Sequence, residues 1–231
     1  MNNSSITYHS HHYFIGKRLK KIDALKIKES QSLIQQKNLF IEPNEIINNI
    51  YTPFIYLGYF SEDVEQRLKN LLLPELFAVG EKFGPMKCPI RNFSFTGQAR
   101  KFKYLGLTYE SPNNYLENII IPYLKSYTDT FTGLNLSYEN IPMIPLFRLN
   151  YQKQSLFLKE NQHVRDSHNK YIFTNLPTPQ LRRDEGSRFI EIDSLDLLRA
   201  TPSTIKKGRK SFNEDLIIDT IISIPFDGNL T

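Results

Sequence analysis

Hydrophobic and polar positions along the chain follow two periods, and they divide it into strands and helices. His11 to Gly16 (His-His-Tyr-Phe-Ile-Gly) reads as a first strand. A lysine-rich, weakly amphipathic helix follows, with Ile22, Leu25, Leu33 and Ile34 expected on its buried side. Pro53 to Phe60 is dense in aromatic and β-branched residues, the composition of a half-buried pleated strand. Ser61 then offers an N-cap, Glu62 and Asp63 suit the positive end of a helix, and Val64, Leu68, Leu71 and Leu72 fall on one helical face. Arg91 to Thr96 alternates polar and apolar. Met143 to Tyr151 reads as a strand in which Leu146, Arg148 and Asn150 share a face by period two. Gln152 to Arg188 is polar and holds Pro177 and Pro179, so it is expected as a long loop or insertion carrying one short strand, Lys170 to Thr174. Arg188 to Leu198 and Asp215 to Phe226 are the closing strands.

The pattern repeats. Tyr104-Leu105-Gly106 repeats Tyr56-Leu57-Gly58 at an offset of 48 residues, and Glu110, Leu116, Asn118, Pro122 and Leu124 repeat Glu62, Leu68, Asn70, Pro74 and Leu76. Ser111-Pro112 starts the second helix as N-cap and first-turn proline. A duplicated strand–helix unit accounts for a match that needs no gap.

Composition narrows the class. The chain has 231 residues, of which 40% are hydrophobic and 23% charged, enough for a buried core and against disorder along the whole length. The single Cys88 excludes an intramolecular disulfide and favours a reducing compartment. No segment reaches the roughly 20 apolar residues of a membrane span, and Met1 to Ser10 lacks the apolar core of a signal peptide. The expectation is a soluble intracellular protein, of the cytoplasm or an organelle matrix, with no membrane partner.

Candidate chemistry is sparse. Neither a Walker-type nor a dinucleotide glycine loop occurs, and no cofactor is expected. His9, His11 and His12 lie near the N-terminus, and His163 and His168 in the polar segment; without a cysteine pair or a His-Glu-x-x-His pattern, no metal is expected. Cys88 among apolar neighbours reads as buried. The net charge of +5 is compatible with a polyanionic partner. The cations cluster: Lys17-Arg18 with Lys20-Lys21, Arg100-Lys101 with Lys103, Arg182-Arg183, and Lys206-Lys207 with Arg209-Lys210. Tyrosine and phenylalanine lie near several of these clusters, and single-stranded RNA is held by such a mixture of stacking and phosphate contact.

Tyr13-Phe14-Ile15, Phe54 to Asp63, Phe102 to Leu107 with the Ser111-Pro112 helix, Phe189 to Gly208 and Leu216 to Pro225 together resemble the 2H phosphoesterase superfamily. The bacterial 2′-5′ RNA ligase and cyclic phosphodiesterase branch is the nearest in layout. The resemblance implies an α+β fold: duplicated strand–helix–strand lobes, two antiparallel sheets flanking a cleft, and helices outside. It implies one domain over residues 1–231, with the polar insertion at about 152–187. The family's chemistry rests on two His-x-Thr/Ser motifs facing each other, and this chain has no His-x-Thr or His-x-Ser. In one register Tyr51 and Pro53 take the first motif and Leu146 and Arg148 the second. In the other, set by the internal repeat, Asn92 and Ser94 take the first and Arg148 and Asn150 the second.

Losing each imidazole costs about 10²–10⁴-fold in rate, so the resemblance implies a catalytically degenerate protein. The expected role is contact with RNA or a nucleotide, or a place beside other proteins in a ribonucleoprotein. The alternative is a divergent phosphodiesterase acting on 2′,3′-cyclic or 2′-5′-linked nucleotides. Arg148, Asn150, Asn92, Ser94, Arg100, Lys101, Lys103, Arg182, Arg183, Lys206, Lys207, Arg209 and Lys210 are the expected phosphate or RNA contacts, with Arg148 in the cleft in both registers.

Overall fold

The computed structural model describes residues 10–96, 102–132, 142–167, 170–184, 186–202 and 216–230. Strands β1 (Ser10–Arg18), β2 (Tyr51–Ser61), β10 (Ser194–Pro202) and β11 (Leu216–Pro225) form one antiparallel sheet in the order β11-β10-β1-β2. The second sheet runs β5-β4-β3-β7-β6, from β3 (Met86–Thr96), β4 (Phe102–Tyr109), β5 (Met143–Asn150), β6 (His163–Arg165) and β7 (Tyr171–Phe173). The first half of β3 also pairs with β9 (Ser187–Ile192), which pairs with the short β8 (Arg183–Asp184). The two antiparallel sheets and outer helices are the arrangement expected from the resemblance.

The helices are α1 (Lys21–Lys37), α2 (Glu62–Lys82), α3 (Ile121–Thr132) and α4 (Tyr151–Glu160). α2 and α3 lie against the first sheet and α4 against β4 and β5. Leu68, Leu72 and Leu76 of α2 are buried, and so are their repeat mates Leu116, Ile120 and Leu124. The two repeat helices meet where the Tyr123 hydroxyl donates to Glu75, its own mate at an offset of 48, while Tyr127 donates to the Leu71 carbonyl at 2.9 Å. A position touching its own counterpart is the mark of a local two-fold axis.

The second helix starts less regularly than the first. Pro112–Asn114 form a 3₁₀ turn, Leu116–Ile120 a π turn, and Ser111 Oγ accepts the Leu116 amide at 2.8 Å. Pro122 removes one amide and crowds the carbonyl of Asn118, four residues back in that π turn.

One contiguous core joins both sheets. Leu57, Leu72 and Leu197 belong to it from the first sheet and its helix, and Phe93, Leu105 and Phe147 from the second. At the seam Thr52 Oγ1 donates to the Met143 carbonyl (3.1 Å) and shares a hydrogen bond with the Tyr109 hydroxyl (2.5 Å).

Several expectations differ from the structure. Arg188 to Leu198, read as one strand, is β9 and β10, which break at Asp193 and pair in different sheets. Ile22, Leu25 and Leu33 of α1 are exposed at 57%, 50% and 48%, while Asp23, Ile27, Ser30, Gln31 and Ile34 are buried. The helix turns its polar residues inward because partners await them, as described below. The segment after Asn150 begins with α4 rather than a loop, because the Asn150 side chain accepts the Lys153 amide (3.0 Å) as an N-cap and Phe157 packs among Phe40, Phe95 and Phe173. The short strand expected at Lys170 to Thr174 is β7. No described helix is long and apolar enough to cross a membrane.

Candidate functional site

The sheet faces turned away from the helices meet at an aromatic groove. In β2 two bulges set its lining. Phe54 and Leu57 are the extra residues opposite β1, so Tyr51, Pro53, Tyr56 and Tyr59 pair with Arg18, Gly16, Phe14 and His12 and share their face. Gly58 follows the second bulge at φ +113°, a conformation that L side chains rarely adopt. On this face Phe14 clusters with Leu198, Ala200 and Ile218, and Tyr51 and Tyr56 pack against them. The Phe14 and Tyr51 rings lie 5.0 Å apart, and the His12 ring packs against Tyr59 at 3.7 Å, tilted by 55°.

The opposing wall comes from three strands in register. Thr96 of β3 is opposite Tyr104 of β4, which is opposite Arg148 of β5; Ser94 is opposite Gly106 on the same face. A Cβ on Gly106 would lie 2.3 Å from Met143 Sδ, so the bare glycine lets that side chain cross the sheet to Thr96 Oγ1 at 3.0 Å. Tyr104 lies within electrostatic reach of Tyr51 and Tyr59 on the facing wall. Burial, reinforced by Tyr104, holds the Tyr51 phenol well above its ordinary pKa. Burial raises Tyr59 as well; a hydrogen bond from Tyr56 opposes the rise, Tyr104 adds to it and the Arg148 guanidinium opposes it. Tyr59 and Tyr104 remain 48% and 39% exposed, open to a ligand.

Among the described residues one imidazole, that of His12, joins this face. Burial, with His11 beside it, lowers His12 to about 4. Its neighbour in sequence points to the opposite face, where His11 Nε2 lies 3.2 Å from Glu62 and Nδ1 3.0 Å from Thr201. His163 sits on the edge strand β6, 3.0 Å from the Asn161 carbonyl.

Arg148 is half-buried in the groove wall, next to Tyr104. The face shared by Leu146, Arg148 and Asn150 is interrupted, because Leu146 is the extra residue of a bulge and is fully buried. Asn150 is engaged as the α4 cap. Ser94 faces the groove but is buried, its hydroxyl 3.4 Å from the Phe95 carbonyl. Asn92 is exposed at a bulge of β3, and its amide and carbonyl are held by Thr108 Oγ1. Lys103, one residue from Tyr104, lies on the other face of its strand.

Arg182 is engaged elsewhere, 3.2 Å from Asp23 and 3.4 Å from Glu191, over the Phe189 ring. Arg183 is exposed on β8. Arg100, Lys101, Lys206, Lys207, Arg209, Lys210, His9 and His168 lie outside the described residues. The structure sets Arg148 beside Tyr104 and within electrostatic reach of Tyr59, whereas Arg182 is held by Asp23 of α1 and Glu191 of β9. Tyr56, Tyr59 and Tyr104 were not expected as site residues; reading β2 at period two puts Tyr56 on the face opposite to Tyr51 and Tyr59, and the two bulges bring it back.

Cys88 is fully buried, and burial raises its thiol far above the ordinary value, which removes it as a nucleophile. Among the described residues no group of three or more His, Cys, Asp or Glu is placed to hold a metal ion. Two shallow hollows, of about 230 Å³ beside Lys87 and Phe189 and about 360 Å³ beside Leu33 and Pro177, lie away from the groove. The groove is the candidate site because polar and aromatic groups converge on it, although neither hollow marks it.

No family model and no curated protein matches the chain. Among solved structures it is similar to TT0787 of Thermus thermophilus, with a TM-score of 0.52 and 11% identity over 94% of this chain and 98% of that one. It is also similar to E. coli LigT complexed with NADP+, with a TM-score of 0.48 and 13% identity over 94% and 98%. For a phosphoesterase the values are 0.49 and 14% over the same shares of the two chains. The likeness to TT0787, over nearly the whole of both chains, is one of fold.

Proposed function

We propose that the chain is a single-domain, 2H phosphoesterase-like protein whose groove holds single-stranded RNA or a nucleotide by stacking and phosphate contact, without acid–base catalysis. The observation that carries this reading is the convergence of Tyr51, Tyr59, Tyr104 and Arg148 on the two opposed sheet faces. A base has two π-faces, and stacking one on a tyrosine is worth about 1–3 kcal/mol irrespective of sequence. A guanidinium beside the stack can grip phosphate through two parallel hydrogen bonds.

The same lining is poor in proton shuttles. A general acid or base works best with a pKa near the operating pH. His12 at about 4 and phenols raised above their ordinary values lie on either side of neutrality. The sequence adds positive charge in the connections that follow β3 and β10, at Arg100 and Lys101 and at Lys206, Lys207, Arg209 and Lys210. These cations would attract a polyanion over a longer range than the groove itself. A protein surface on the same molecule would suit a ribonucleoprotein component.

The test is a fluorescence-anisotropy titration with a single-stranded RNA of about 10 nucleotides, within the site sizes such grooves cover. Affinity should fall with salt at a log–log slope of about −0.7 per phosphate contact. Arg148→Ala should weaken binding and flatten that slope, whereas Tyr104→Ala should weaken it about 5- to 150-fold with the slope kept. Affinity no greater than that of a neutral control protein would overturn the reading. Turnover of a 2′,3′-cyclic nucleotide that vanishes in a folded Arg148→Ala variant would replace it with the divergent phosphodiesterase.

A further inference from the structure

Helix α1 is built inside out. Its inward side carries three polar residues with partners: Ser30 donates to the Pro177 carbonyl, Gln31 Nε2 donates to the Ile47 and Leu146 carbonyls at 3.1 and 2.7 Å, and Asp23 receives Arg182 at 3.2 Å. Its outward side carries Ile22, Leu25 and Leu33, about half exposed each. At 100° per residue these three fall on one stripe, diametrically away from Ile27 and Ile34. Scattered single apolar residues on a surface need no explanation, but a stripe along one helix with its polar residues buried beneath does.

The stripe has a socket and a charged border. Beside Leu33, a hollow of about 360 Å³ opens between the helix and residues 177–180, with Pro177 and Pro179 among its lining residues and Lys26, Glu29 and Arg188 among its charged ones. Lys21 and Lys28 lie along one edge of the stripe, and Lys26 and Lys37 along the other. The exposed Glu29 within it is 3.3 Å from Lys26. An apolar seam edged by cations on both sides is complementary to an apolar seam edged by carboxylates.

We propose that α1 is a docking surface for an acidic amphipathic helix of another protein. Such a helix would set an apolar side chain into the hollow beside Leu33 and its Asp or Glu residues against the lysine edges. A second copy of this chain is a poor occupant, because pairing α1 with itself sets two lysine-edged seams against each other. The surface lies on the outward side of a helix that covers the core, and the groove is on the other side of the sheets. Docking and groove binding are therefore independent, and one can fail without the other.

The probe is a synthetic helical peptide of about 20 residues, with leucine in an i, i+3, i+7, i+11 stripe and glutamate on both flanks; its control has lysine on both flanks. The full chain should bind the glutamate peptide and not the lysine peptide. Combining Ile22→Ser, Leu25→Ser and Leu33→Ser should weaken binding about tenfold or more for each apolar side chain removed, with a single cooperative unfolding transition kept at a lower temperature, because each side chain is about half buried. Should that variant not fold, Lys28→Glu with Lys37→Glu reverses one cation on each edge, and the preference should move towards the lysine peptide. Equal binding of both peptides, or binding indifferent to both sets of substitutions, overturns the proposal. So does a concentration-dependent dimer in sedimentation that the triple substitution abolishes, since the occupant would then be a second copy.

Discussion

Tyr51 faces the groove, and a phenol kept neutral by burial cannot exchange protons freely at pH 7. Arg148 acts on the same space from the other wall, where its charge favours the Tyr59 phenolate. Arg148→Ala removes a cation, so the Tyr59 pKa should rise, read from the ring carbon shifts of labelled tyrosine; an unchanged titration would mean the two walls do not meet. His12 gives a second test. Its folded pKa of about 4 lies below the roughly 6.5 of an unfolded imidazole. Between those values the unfolded chain binds a proton that the folded chain refuses. The stability from neutral, buried His12 is therefore complete above about pH 6.5 and is lost as the pH falls towards 4. His12→Asn should narrow the gap between urea midpoints measured at pH 7 and at pH 4.5; an equal gap in both proteins would contradict the assignment.

At the scale of elements, strands and repeat were legible and faces were not. Aromatic and β-branched density placed β1, β2, β5 and β11 within a few residues, and the offset of 48 matched Leu116 and Leu124 to Leu68 and Leu76, all four buried, while Leu71, read on the face of Leu68 and Leu72, is 39% exposed. Period two failed wherever a strand carries a bulge. Leu57 shifts Tyr59 onto the face of Tyr56, and Leu146 leaves the face of Arg148. The extra residue stands unpaired opposite the partner strand, so period two read along one strand alone does not reveal it; Gly58 beside Leu57 is the local sign at one of these bulges. The α1 face failed for another reason: Asp23, Ser30 and Gln31 are buried by partners distant in sequence, at Arg182, Pro177 and Leu146. Asn150, expected in the site, is the cap of α4, so Asn150→Ala should cost about 1 kcal/mol of stability in chemical denaturation and leave RNA affinity unchanged. A larger effect on affinity than on stability would return it to the groove.

At the scale of the whole molecule, two related strand–helix units pack back to back through α2 and α3, and one core runs through both sheets. That leaves the sheet faces without helices opposed, and whatever lines them decides the chemistry. With histidines such a groove would move protons; with Tyr51, Tyr59, Tyr104 and Arg148 it offers rings and a guanidinium. The most direct measurement is a titration of the tyrosine-labelled chain with single-stranded RNA, followed by the ring resonances. The expected result is progressive shifts at Tyr59 and Tyr104, with the exposed ring of Tyr123, on α3 against Glu75, unmoved. Shifts confined to Tyr123, with the groove tyrosines silent, would contradict it.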